Sequence, residues 1–216
     1  DKTKIIINNF CEKNSNFKYI SSLEGNYKYK FKKKALDAGI KKSNYDYLLF
    51  TDVDCRPNKY WVSSMASHFQ NNVEYIIGPI SVKNPENFVS LYQSIDLDML
   101  IASLQGITSL GFPCASTGQN QGFKKSIYNK VSKFDKIQNL LGGDDSLFLN
   151  IVRNNQGKIK FVSNKNAVVF SRHENKIKNL INQRMRWALD ANLMYKFNFV
   201  FYILIVCSFL ANLIIL

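Results

Sequence analysis

Residues 45–54 read Tyr-Asp-Tyr-Leu-Leu-Phe-Thr-Asp-Val-Asp (YDYLLFTDVD), and this stretch decides the fold class. Its first part is nearly continuous apolar sequence, the pattern of a strand buried on both faces, and it closes on acid. Pro57 is predicted to open a helix over roughly 58–70, YIIGPISV at 75–82 reads as the next strand, and a long helix follows over about 87–105. Upstream, KKKALDAGIKK at 32–42 reads as a helix with a basic start and FKYIS at 17–21 as a short strand. At 3–13, Ile6, Ile7, Phe10 and Cys11 share one helical face. Strands alternating with helices predict an α/β domain with a mainly parallel sheet flanked by helices, whose ligands bind at the carboxyl ends of the strands.

Further along, residues 106–118 read as a loop rich in Gly, Ser, Thr and Pro. GQNQGFKK and a short helix lead to Gly142-Gly143-Asp144-Asp145, and a helix carries Ser146 to Asn154. KIKFV and AVVFS read as short strands, and a helix is expected over 175–194. Phe199 to Leu216 reads FVFYILIVCSFLANLIIL, apolar apart from Ser208 and Asn212. That run predicts a membrane segment at 197–216 after one domain at 1–195. The first residue is Asp, and the sequence reads as a piece of a longer membrane protein.

The 216 residues are 46% hydrophobic and 21% charged, which excludes a disordered or collagen-like chain. Twenty-nine Lys and Arg against 16 Asp and Glu give a net charge of +13, which points to an anionic partner. No helix-turn-helix and no aromatic RNA-binding pattern accompanies that charge, so nucleic acid is not the expected one. Cys11, Cys55, Cys114 and Cys207 are far apart with no CxxC pair, which argues against a disulfide framework or zinc site and for reduced thiols in the cytosol.

Three groups can carry chemistry. Asp52 and Asp54, two residues apart at a strand end, can converge on one divalent cation and the phosphates it carries, although such a pair can also be a solvated turn. Asp96 and Asp98 repeat the spacing inside a helical pattern, where the two side chains face different ways. Asp144 and Asp145 can cap a helix, or one of them can act as a general base. Gln183, Arg186 and Trp187 share a helix face. There Arg can hold a diphosphate and Trp can stack on a sugar, or the helix can be a basic juxtamembrane segment. Lys32, Lys33 and Lys34 can sit near phosphate or form a solvated face. His173, after a short strand, can ligate a metal or be structural.

The order Asp-x-Asp, Asp-Asp, QxxRW and membrane segment resembles the membrane-bound family 2 glycosyltransferases. KKKALDAGI, YDYLLFTDVDCRP, GQNQGFKKSIY, GGDDSLFLN and QRMRW carry the resemblance across 32–187. It implies a GT-A nucleotide-sugar-binding fold, here lacking the family's first strand and followed by a C-terminal membrane helix. By the same resemblance, Asp52 would contact the nucleotide and Asp54 would ligate Mg²⁺ or Mn²⁺ on the diphosphate. Asp145 would be the general base, supported by Asp144. Gln183, Arg186 and Trp187 would bind the diphosphate and the acceptor sugar. Lys32 matches a family lysine, with Phe31 standing where the family usually has Gly. The implied activity is inverting transfer from a UDP- or GDP-sugar to a lipid-linked or polysaccharide acceptor. Excess Lys and Arg before the apolar run places the catalytic domain on the cytoplasmic face of the cell membrane. The rival readings are a nucleotidyltransferase and a non-catalytic membrane-anchored polyanion binder.

Overall fold

The computed structural model describes the backbone of residues 2–215 and, of these, all side chains except Asp190 and residues 208–215. Asp1 and Leu216, the first residue of the expected domain and the last of the expected membrane segment, lie outside the described residues.

Helix α1 (Thr3–Lys13) comes first, then α2 (Lys32–Lys42) and strand β1 (Tyr47–Phe50). The expected strand at 17–21 is absent. Phe17 instead turns back on Phe10, ring edge to face at 4.9 Å, and a single 3₁₀ turn at Ser22–Glu24 leads on. After β1 come β2 (Arg56–Pro57) and a helix shorter than expected, α3 (Trp61–Ala66). The Asn58 carboxamide accepts from the Tyr60 amide at 3.0 Å, which makes a turn of residues read as the helix start.

The expected strand at 75–82 is broken at Gly78-Pro79 into β3 (Tyr75–Ile77) and β4 (Ile80–Val82), which join different sheets. Buried Asn120 holds the break: its Nδ2 donates to Pro79 O and Ala167 O, and its Oδ1 accepts from Trp61 Nε1. Helix α4 (Phe88–Ser109) begins at an Asn87–Ser90 capping box and runs into the expected loop. Then come β5 (Gln121–Lys124), α5 (Lys125–Lys130), α6 (Ser146–Asn154), β6 (Ile159–Phe161), β7 (Val169–Ser171), α7 (Ile177–Phe197) and α8 (Phe199–Ile215).

The larger sheet has the order β1-β5-β3-β6 and the smaller one β2-β7-β4. The architecture is mixed α/β, but the sheets are not mainly parallel. The pairs β1/β5, β3/β5 and β2/β7 are antiparallel, whereas β3/β6 and β4/β7 are parallel. In the larger sheet the cause is β5, a polar Gln-Gly-Phe-Lys stretch with no strand pattern, which inserts antiparallel between β1 and β3. It pairs Phe50 with Gln121 on one side and Ile77 with Gln121 on the other, so the ends of β1 and β3 meet at the start of β5. β1 is an edge strand in the described sheet, and only Leu48 of its four residues is fully buried.

Phe123, Tyr75, Tyr128, Phe134 and Phe148 stack in one aromatic core between the sheet and α6. α6 buries six consecutive residues, Leu147 to Val152, so its first turn is rigidly placed. Removing a ring such as Phe148 costs about 3–5 kcal/mol.

The last helix, α8, has 17 residues, about 25 Å at helical rise against a hydrocarbon core of about 30 Å. Among the described residues no helix is long and apolar enough to cross a membrane. The expected membrane helix at 197–216 is therefore seen only as this shorter apolar helix.

Candidate active site

The sequence leaves the sheet at Phe50 and turns at once. The Cys55 amide donates to Asp52 O at 3.1 Å, Val53 at the tip is 98% exposed, and buried Cys55 anchors the far side. Asp52 is thereby held at the strand end, half-buried, while Asp54 is exposed. Burial first, then the Asp54 and Asp52 charges, push the Cys55 thiol up to about 11, so it stays protonated. All four cysteines are free, Cys55 and Cys114 buried and Cys207 exposed.

Lys32 opens α2 and meets this strand end. Its Nζ donates to Asp52 Oδ1 at 2.8 Å and lies 3.4 Å from Asp144 Oδ2. Burial opposes the charge on Lys32. Asp144 first, then Asp52 and Asp145, outweigh it, and the ammonium is held above its ordinary range. The neighbouring Lys33 is fully buried and donates from Nζ to Leu140 O at 2.6 Å and Gly142 O at 2.8 Å, pinning the loop that presents the acid pair. The sequence reading of a solvated lysine face thus fails for Lys33. Its signal lay in the helical spacing, because Lys33, Asp37 and Ile40 share the inward side of α2.

Gly143 precedes the acids with φ +88°, and a Cβ there would come within 2.6 Å of Leu147 Cδ1. Glycine is therefore needed to bring Asp144 and Asp145 to the head of α6. Asp145 is the N-cap: its Oδ1 accepts from the Ser146 amide at 2.6 Å and its Oδ2 from the Gly118 amide at 3.1 Å. Asp144 is 7% exposed and faces Lys32. The capping alternative thus holds for Asp145 but does not account for Asp144.

A Cβ on Gly118 would stand 3.1 Å from Lys32 Nζ and 3.7 Å from Oδ2 of both Asp144 and Asp145. One ammonium and two carboxylates therefore border the space above Gly118, which any side chain would fill. Beneath them a buried network fixes the backbone. Tyr75 OH donates to Gln121 Oε1, Gln121 Nε2 donates to Asp144 O at 3.3 Å, and Ser146 Oγ donates to Ser116 O at 2.9 Å. Burial keeps the Tyr75 hydroxyl protonated far above its usual range. Sequence reading gave no role to Tyr75, nor to Gln121 and Ser116, although Gln121 lies within the GQNQGFKKSIY stretch.

Gln183, Arg186 and Trp187 lie on α7. Gln183 Oε1 accepts from Gln93 Nε2 of α4 at 3.3 Å, and the Arg184 guanidinium lies 4.2 Å above the Trp187 ring. Arg186 is exposed. The second Asp-x-Asp is helical, as expected, and its members do diverge: Asp96 pairs with Arg184, and Asp98 accepts from Ser81 Oγ at 2.9 Å.

His173, the other candidate ligand, lies 3.4 Å from Glu86 Oε2. No group of three or more His, Cys, Asp or Glu able to hold a metal occurs among the described residues. A Mg²⁺-like ion needs no such cage. It keeps several waters and binds through one or two carboxylates plus substrate phosphates. Exposed Asp54 beside Asp52 fits that mode.

The family model described as Glycosyl transferase family 2 matches residues 1–132. The match covers more than half the chain, and the chain belongs to that family. It includes Lys32, Asp52 and Asp54, whereas Asp144, Asp145 and the QxxRW group stand beyond it. No curated protein matches the chain. Membership makes the protein a glycosyltransferase, with a nucleotide-sugar donor and an acceptor to bind.

Proposed function

We propose that the protein transfers a sugar, with inversion, from a nucleoside diphosphate sugar to a lipid-linked or polysaccharide acceptor at the cytoplasmic face of a membrane. The observation that carries this reading is Lys32, which lies within ion-pair distance of both Asp52 and Asp144. It joins the strand end that would take the nucleotide to the acids that would take the proton.

The division of labour follows from charge. Asp52 contacts the nucleotide and Lys32 the phosphates. Asp54 is the residue that would hold Mg²⁺ or Mn²⁺, which when bound neutralises charge on the departing diphosphate. Arg186 adds a guanidinium to the same task. An acceptor hydroxyl is a weak nucleophile at neutral pH, so a carboxylate must take its proton as it attacks. Asp145 has that role, with Asp144 beside it. Inversion needs one such base, opposite the leaving group. Gln183 and Trp187 hold the acceptor sugar.

The domain boundaries in this reading are 1–195 for the transferase and 197–216 for the membrane segment. About eleven residues separate Trp187 from Phe199, roughly 16 Å along a helix, which supports an acceptor site within reach of lipid head groups. The nucleotidyltransferase and polyanion-binder readings leave the family match unexplained. The test is a panel of UDP- and GDP-sugars with membrane acceptors, reading release of nucleoside diphosphate. Release of pyrophosphate instead, or no turnover with any donor, would overturn the reading.

A further inference from the structure

Asp96, the first member of the second Asp-x-Asp, has no part in the transfer chemistry proposed above. Yet it reaches α7, as does Gln93 three residues before it on α4. Gln93 is 2% exposed, and both ends of its carboxamide are engaged. Oε1 accepts from the Glu174 amide at 2.7 Å, in the segment before α7, and Nε2 donates to Gln183 Oε1 at 3.3 Å. A backbone amide can only donate, so Gln93 must turn its oxygen to Glu174 and its N–H to Gln183. Gln183 must then give its oxygen to Gln93, and the end it keeps for a ligand is the Nε2 donor. Gln93 thus sets the hydrogen-bonding sense of Gln183.

Asp96 acts on the next residue of α7. Its carboxylate pairs with the Arg184 guanidinium, which lies 4.2 Å above the Trp187 ring. An ion pair on one side and a cation–π contact on the other hold the guanidinium, and through it the indole, in one orientation. Trp187 is 39% exposed, so no core packing locks its ring. Apolar contacts do not supply this register. Phe88, Val89 and Tyr92 of α4 and Ile177, Ile181 and Met185 of α7 leave a groove of about 680 Å³ between them, and apolar contact is non-directional. The Gln93 and Asp96 contacts are directed and fix how α7 lies on α4.

We propose that Gln93 and Asp96 are positioning residues for acceptor recognition: Gln93 aims the Gln183 N–H, and Asp96, through Arg184, aims the Trp187 ring. This rests on the acceptor role given to Gln183 and Trp187 above, and two measurements separate the one from the other. The first needs no donor. The full chain, labelled with 5-fluorotryptophan and held in phosphatidylcholine nanodiscs, carries two tryptophans and gives two fluorine resonances. Trp61, bonded through Nε1 to buried Asn120, is the control for the fold. Asp96→Asn should move the Trp187 resonance and leave that of Trp61 in place. A Trp187 resonance that stays put, or two that move together, would overturn the proposal.

The second measurement uses the membrane extract that supports turnover in the donor panel. The amount needed for half-maximal transfer should rise about tenfold or more in Gln93→Met and in Asp96→Asn, while release of nucleoside diphosphate to water without extract stays unchanged. Gln93→Met should add nothing in a Gln183→Met background, and Asp96→Asn nothing in a Trp187→Ala background, because each acts only through its partner. Additive losses would reduce both residues to structural roles and overturn the proposal, as would normal use of the extract by Gln93→Met and Asp96→Asn. If Gln183→Met and Trp187→Ala themselves used the extract normally while Asp96→Asn still moved the Trp187 resonance, the acceptor role given to α7 would fall and the positioning of Trp187 by Asp96 would stand.

Discussion

The Lys32 ammonium stands 2.8 Å from Asp52, tying the first residue of α2 to the turn that ends β1. The same nitrogen reaches Asp144 at 3.4 Å. Replacing it with the similarly sized but neutral Met leaves Asp52 and Asp144 without their common partner and removes a cation from the proposed phosphate site. Lys32→Met should weaken nucleoside diphosphate binding about tenfold or more in calorimetry. Its side chain is 44% exposed, so the melting temperature should shift by only a few degrees.

The exposed carboxylate at the turn should matter only with a divalent ion present. Chelation should abolish nucleoside diphosphate binding, and Asp54→Ala should do the same when Mg²⁺ or Mn²⁺ is restored. Asp98→Ala should bind normally, because Asp98, on α4, accepts from Ser81 of β4. Equal losses in the two variants would mean that the turn aspartates are not the ligands.

Phe31 has φ +56° and ψ −143°, a backbone region that suits glycine and strains a residue with a side chain. Its ring is 55% exposed, so little packing opposes a change. Phe31→Gly should raise stability by about 1 kcal/mol in denaturant titrations, after the entropy glycine adds to the unfolded chain, with nucleotide binding kept.

Asp37 is fully buried on α2 and accepts from the Asn26 amide at 2.7 Å, Lys41 Nζ at 2.8 Å and Tyr128 OH at 3.0 Å. Burial works to raise its carboxyl, but these donors outweigh it and hold it below the usual carboxylate value. A depressed folded-state value stabilises the protein above the ordinary carboxylate range, and that stability is lost as pH falls through the lower value. Asp37→Asn should therefore cost about 2–3 kcal/mol at neutral pH. The gap to the unaltered protein should close on acidification.

The strand before Asp52, the α2 helix, the helical placement of Asp96 and Asp98 and the head of α6 were legible because each has a local signal: an apolar run, a helical period or a Gly-Gly before acids. Two features were not. β5 is four residues of Gln-Gly-Phe-Lys whose strand state depends on β1 and β3 pairing on both sides, so neither propensity nor alternation marks it. Lys33 is buried because Leu140 and Gly142, more than a hundred residues away, offer it carbonyls. The site was legible as residue types and order. That Lys32 joins Asp52 to Asp144, that Asp145 also caps α6, and that His173 faces Glu86 are tertiary facts without a local pattern.

The most direct test of the account is Asp145→Asn, which keeps the shape of the helix cap and removes the proton acceptor. With a donor that the protein turns over, transfer should fall about a hundredfold or more while donor affinity, measured separately, changes little. Near-normal transfer by Asp145→Asn would contradict the central claim. If Asp144→Asn were then inactive with donor binding intact, the base would be the buried acid that faces Lys32.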